Sequence, residues 1–181
     1  FRGEALAALC AVARIELLTK MKGEISGTKV VAEGSKIISV TETGCPEGTT
    51  VVVRDLFYNT PARQKFLKKE VTESAAIASA VDRAVLAAPN VSFTFIKDGR
   101  RELFTRGGGL EEAAREVLGR ELAAKTAMLG YENAGIKITG LIGLPEAARP
   151  NRNLQFFYLN GRYIKSRVMT SALEEALKNN L

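Results

Sequence analysis

The chain is 181 residues long, 46% hydrophobic and 25% charged, with a formal net charge of +6 and no histidine. Its length allows one large domain or two small ones of ordinary soluble composition, and no apolar run approaches the roughly 20 residues of a membrane span. Without histidine there is no Ser-His-Asp or Cys-His catalysis; Cys10 and Cys45 lack zinc-ligand spacing, so reduced thiols and no metal site are expected.

The positive charge favours an anionic partner such as phosphate or nucleic acid, although many basic domains bind neither. The first residue is Phe1, with no initiator Met and no signal-peptide pattern, so the chain reads as part of a longer protein.

Residues 3–13 read as a helix start, with Ala5, Leu6, Ala8, Leu9 and Val12 mostly apolar. Imperfect alternation over residues 14–21 predicts a strand. Residues 29–32 and 36–40 flank Glu33-Gly34-Ser35 as a hairpin. Residues 43–48 form a loop by their Gly and Pro content, and the β-branched run 50–56 predicts a buried strand. Thr60 is placed to cap, and Pro61 to open, a short helix over residues 62–69. A longer helix is expected over residues 72–87, ended by Pro89 and Asn90. Residues 91–96 and 102–105 form a second hairpin, and Gly107-Gly108-Gly109 is expected to be a flexible joint. Beyond it come a helix over 110–118, a strand over 136–142 and a polar loop over 145–153. A strand over 154–159, a turn at Asn160-Gly161, a return at 163–165 and a helix capped by Ser166 and running through Leu177 complete the series.

This order gives an α+β layout: a mixed sheet covered on one face by helices, followed by part of a second α/β unit. No βαβ pattern and no internal repeat is present.

Gly3 stands where a loop enters a helix. The first N–H groups of a helix lack internal partners and, with the helix dipole, suit a phosphate; a residue without Cβ lets the ligand come close. The plainer reading is a helix start and nothing more. Gly48-Thr49 is weak by itself, because glycine opening a β-branched strand is common. Arg162, Lys165 and Arg167, with Arg149 and Arg152 on the preceding loop, make a basic surface suited to DNA phosphates without an aromatic stacking platform, or else a solvated hairpin tip. Lys65, Lys68, Lys69 and Glu70 read as a solvated helix face.

Two runs carry a family likeness: Phe1-Arg2-Gly3-Glu4-Ala5-Leu6, and the stretch from Gly48-Thr49 to Asp55-Leu56-Phe57-Tyr58-Asn59-Thr60-Pro61-Ala62-Arg63. With Leu159-Asn160-Gly161-Arg162, they resemble the MutL family of DNA mismatch-repair proteins. The resemblance implies a partial Bergerat-type (gyrase/Hsp90/histidine kinase/MutL) ATPase sandwich over residues 1–119. An incomplete ribosomal-protein-S5-like transducer domain would follow over residues 120–181. ATP and Mg2+ would be the cofactors: amides of Gly3, Glu4, Ala5 and Leu6 would close a lid on the phosphates, with Arg2 bracing it. Gly48 and Thr49 would lie on the strand beneath the adenine. Phe57 and Tyr58 are expected in the core, with Asn59 and Thr60 in a turn and cap. The family's Glu–Asn helix, Asp-x-Gly-x-Gly motif and transducer Lys match nothing here, so no catalytic residue is nominated and hydrolysis is expected only of a longer protein. The implied partners are DNA, a MutS-type mismatch sensor, a strand-incision endonuclease or helicase and a second copy of the protein. The implied setting is the bacterial cytoplasm, at the nucleoid during repair, with no membrane. The readings from other classes are a non-catalytic S5-like nucleic-acid-binding module and a purely structural scaffold.

Overall fold

The computed structural model describes residues 4–178, and the chain divides between Glu70 and Val71 into two compact units.

In the first unit, helix α1 (Ala5–Val12) leads directly into β1 (Arg14–Lys20), followed by β2 (Gly27–Glu33), β3 (Lys36–Thr43), β4 (Gly48–Arg54) and the short helix α2 (Pro61–Lys65). The strands form one sheet in the order β3-β2-β1-β4. Every pairing in it is antiparallel, which corrects the expected mixed sheet: β1, β2 and β3 follow one another as neighbours, and the chain then crosses from the β3 edge to set β4 beside β1 in the opposite direction. Gly34 and Ser35, at φ +55° and +66°, make the tight turn between β2 and β3, both central residues lying in the left-handed region that such hairpins require. Val12, Ala13, Ile15 and Ala32 form the buried core where α1 meets β1 and β2.

The buried strand expected over residues 50–56 is instead the outer strand β4, with Val51 and Val53 remaining 43% and 41% exposed. Val, Thr and Ile favour the pleated backbone at an edge as well as in a core, so composition signals a strand but not its burial. The corner after β4 also differs from expectation. Phe57 and Tyr58 are half-buried rather than core residues. Thr60 stands at the N-cap of α2 but makes no side-chain cap, and its hydroxyl has no partner. Pro61 does open the helix, which ends at Lys65, so Lys68 and Lys69 lie on the following loop.

The second unit begins with α3 (Glu70–Ala87) and the hairpin β5 (Ser92–Lys97) and β6 (Arg100–Arg106), then α4 (Leu110–Leu118) and α5 (Arg120–Ala123). The hairpin β7 (Thr126–Asn133) and β8 (Ile136–Gly143) and a 3-10 turn (Pro145–Ala147) follow. The short hairpin β9 (Phe157–Leu159) and β10 (Arg162–Ile164) and α6 (Arg167–Leu177) complete it. Its core is Val85, Leu103 and Ala113, against which Val81, Leu86, Phe93, Phe95 and Val117 pack. The buried Thr105 is satisfied locally: its hydroxyl accepts from Phe93 N at 3.1 Å and donates to Val91 O at 3.3 Å.

The expected flexible joint at Gly107–Gly109 is a pinned turn. The Glu112 carboxylate accepts from Arg106 N and Gly108 N, and Gly109 N donates to Pro89 O. This is the reach-back of a helix's first turn to the amides before it. Ser166 caps α6 as expected, accepting from Met169 N at 3.2 Å. Among the described residues no helix is long and apolar enough to cross a membrane.

Candidate functional site

The residues of the first candidate site lie in the first unit. Arg2 and Gly3 fall outside the described residues. Glu4 is the N-cap of α1 and supplies no side-chain cap, so the first-turn amides of Ala5 and Leu6 have no capping partner there. Glu4, Ala5 and Leu6 are all exposed. Gly48 opens β4 at φ +104°, with no atom near the position a Cβ would occupy. Beside it, the Thr49 hydroxyl meets that of Thr19 at 3.0 Å, the two residues being directly paired between β1 and β4. Thr19 carries no motif signal; only the strand register brings it to Thr49. Arg14, the first strand residue after α1, pairs with Arg54 at the opposite end of the same ladder. The C-terminal end of α1 therefore enters the sheet roughly 15–20 Å along the strand from Thr49.

A second candidate site is a cavity of about 830 Å³ in the second unit. Of the expected DNA-facing residues it gathers Arg152, Lys165 and Arg167; Arg149 and Arg162 are exposed and lie outside its lining. Arg149 donates to the carbonyl of Ala148. The lining adds Arg83 and the hydroxyls of Ser79, Thr170 and Ser171, which the linear sequence does not group. Arg83 is half-buried on α3, donates to Ser79 Oγ at 2.6 Å and lies over the ring of Tyr163 at 5.2 Å. The lining also includes the aromatic ring of Tyr163. Arg83 covers one face of that ring, and Tyr158 meets it edge-on at 5.8 Å.

Charges in this cavity are unevenly free. Arg152 donates to both oxygens of Glu174, at 2.7 and 2.9 Å, and this contact holds the Glu174 carboxyl below its ordinary range. Burial pushes the carboxyl of Asp82 up, with Arg83 opposing that shift. Burial chiefly, and then the neighbouring Tyr163, pushes the Tyr158 phenol up to about 12; its hydroxyl donates to Arg83 O at 3.0 Å. Among the described residues no three His, Cys, Asp or Glu side chains converge as a metal seat, so these residues do not by themselves fit Mg2+.

The arrangement matches known proteins along its whole length. The chain is 31% identical to the solved Aquifex aeolicus MutL ATPase domain complexed with ADP, with a TM-score of 0.78 over 97% of this chain and 67% of that one. The chain belongs to the MutL family. The family described as DNA mismatch repair protein, C-terminal domain, matches residues 114–181. DNA mismatch repair protein MutL of Agathobacter rectalis is 44% identical over all of this chain and 28% of its own length. That of Thermoanaerobacter pseudethanolicus is 42% identical over 98% of this chain and 29% of its own length. The chain thus spans under a third of the curated MutL relatives it matches, and its α+β architecture is that of the MutL ATPase region.

Proposed function

We propose that this chain serves a nucleotide-switched MutL protein, lending part of an ATP site and part of a DNA-binding surface to a longer polypeptide. Residues 1–119 would complete the ATPase domain and residues 120–181 would begin the transducer. Amides of Gly3, Glu4, Ala5 and Leu6, braced by Arg2, close over the nucleotide phosphates; Gly48 and Thr49 lie beneath the adenine. Mg2+ and the catalytic base come from segments beyond this chain. Arg149, Arg152, Arg162, Lys165 and Arg167 contact the DNA backbone without reading its sequence. In the longer protein, ATP orders the lid, two copies dimerise, and a MutS-type sensor is coupled to a strand-incision endonuclease or helicase at the bacterial nucleoid.

The observation that carries this reading is the open left-handed Gly48 beside the Thr49–Thr19 hydroxyl pair, in a chain that superposes on an ATPase domain solved with ADP. Calorimetric titration of a non-hydrolysable ATP analogue with Mg2+ tests it, run on this chain and on a MutL protein of the relatives' length that contains it. Binding by the longer protein only, lost in Thr49→Val, is the expected result. Absence of binding by both would defeat it. The basic cavity favours a second reading, the non-catalytic S5-like module: salt-steep duplex binding that is indifferent to Gly3→Glu and to nucleotide.

A further inference from the structure

Helix α1 is eight residues long, too short to hold its shape without tertiary support. It ends without a glycine: Ala13 is already extended, at φ −144° and ψ 168°, because the chain passes straight into β1. The last four carbonyls of a helix have no partner within it. Here three of them are taken by donors from elsewhere in the unit. Ser35 N donates to Cys10 O at 2.9 Å, the side chain of Asn59 donates through Nδ2 to Ala11 O at 2.9 Å, and Phe57 N donates to Val12 O at 2.7 Å.

Two of those donors come from a corner that is held in an unfavourable backbone. Asp55 and Phe57 lie at φ +52° and +67°, where residues with a Cβ are disfavoured. Such strain persists only where the surroundings impose it. Arg14 braces the corner from outside: its guanidinium donates to Asp55 at 2.9 Å and to Glu33 at 3.2 Å and lies over the Tyr58 ring at 4.9 Å. Glu33 immediately precedes the Gly34–Ser35 turn, so Arg14 ties together both loops that cap the helix.

We propose that the Asp55–Asn59 corner is a socket for the C-terminal end of α1, and that Asn59 is a positioning residue for the nucleotide lid. The inference rests on the reading that Glu4, Ala5 and Leu6 face the nucleotide phosphates. A tilt of α1 about its capped end would sweep those amides sideways on a lever of roughly 10 Å. By clamping the carbonyl end, Asn59 fixes where the amide end points without touching the nucleotide.

Asn59→Asp keeps the shape and replaces the donor with an acceptor-only carboxylate; Asn59→Ser, too short to reach Ala11 O, is the milder companion. Hydrogen exchange of this chain should show the α1 amides exchanging roughly fivefold faster in both variants while the β1–β2 amides are unchanged. In a MutL protein of the relatives' length, the ATP analogue should bind roughly fivefold more weakly. Unchanged α1 exchange overturns the socket. Faster α1 exchange with unchanged analogue affinity overturns the positioning role and leaves a purely structural cap. If the unsubstituted longer protein binds no nucleotide, the functional reading itself has failed and the lid role falls with it, whatever the exchange shows.

Discussion

The Asp55–Asn59 corner of the first unit aims single N–H groups at single carbonyls and holds two non-glycine residues in the left-handed region to do so. The cavity of the second unit works differently. It collects Arg83, Arg152, Lys165 and Arg167 around a common volume, and one of these, Arg152, is already neutralised by Glu174. A hydrogen-bonded corner depends on the position of each atom, whereas a basic cavity depends mainly on how many charges it holds. The first unit is therefore expected to be sensitive to small steric changes, and the second, apart from its pinned Gly107–Gly109 turn, to tolerate them.

A pair of glycines tests that difference most strongly. Gly27, buried at the start of β2, has Cys45 Sγ and the backbone carbonyl of Thr19 where a Cβ would go, the carbonyl at 2.7 Å. Gly27→Ala should cost about 2 kcal/mol by overpacking. Gly130 on β7 has nothing within 4 Å of the same position, and Gly130→Ala should change stability by less than about 0.5 kcal/mol. Thermal melts of the two variants make the comparison; equal losses would erase the proposed contrast between the units.

Tyr158 sharpens the comparison within the second unit, where the support beneath the cavity is a directional bond and not a charge. Tyr158→Phe removes the hydrogen bond to Arg83 O and should cost about 1 kcal/mol near neutrality. The cost depends on pH. The folded chain keeps the phenol proton up to about 12, while an unfolded tyrosine releases it near 10. Between these values the unfolded state binds fewer protons, so the native Tyr158 contributes less stability as pH rises, and the variant, with no phenol at this position, has nothing to lose. The gap between the two proteins should narrow from pH 10 upward in denaturant titrations and stay constant below it. A constant gap throughout would mean that the phenol is not held by its buried surroundings.

How far these features could be read from sequence follows the same physical division. Gly34-Ser35, Asp98-Gly99 and Asn160-Gly161 announce their turns because few residues accept positive φ. Ser166 announces α6 because its hydroxyl bonds within the first turn. The run from Asp55 to Pro61 was legible as a family motif, yet its role was not, since it bonds to carbonyls of a helix more than forty positions earlier. Thr60 illustrates the limit: residue type placed it at the cap, but only the backbone decides whether the hydroxyl reaches an amide. β7 carried almost no signal, because Ala127, Gly130, Glu132 and Asn133 are weak strand formers that its partner β8 holds in register. Arg83 reads as one more charged helix residue until β10 brings Tyr163 beneath it.

The smallest expected effect concerns the turn of that unannounced hairpin. Ala134 and Gly135 lie at φ +48° and +77°, nearly the same as Asn160 and Gly161 at +49° and +75° in the β9–β10 turn. The two turns thus ask the same backbone of different residues. An Ala in this region sets its Cβ against the following carbonyl, whereas Asn is tolerated there and bonds locally. Ala134→Asn should stabilise the chain by about 0.5 kcal/mol, and Asn160→Ala should destabilise it by a similar amount. Calorimetric melts of the two single variants and the double variant decide it, with the double variant returning close to the parent because the turns are separate. If neither single change matters, the ladders β7–β8 and β9–β10 dictate their own turns, and the tolerance assigned to the second unit extends to its backbone as well as its charges.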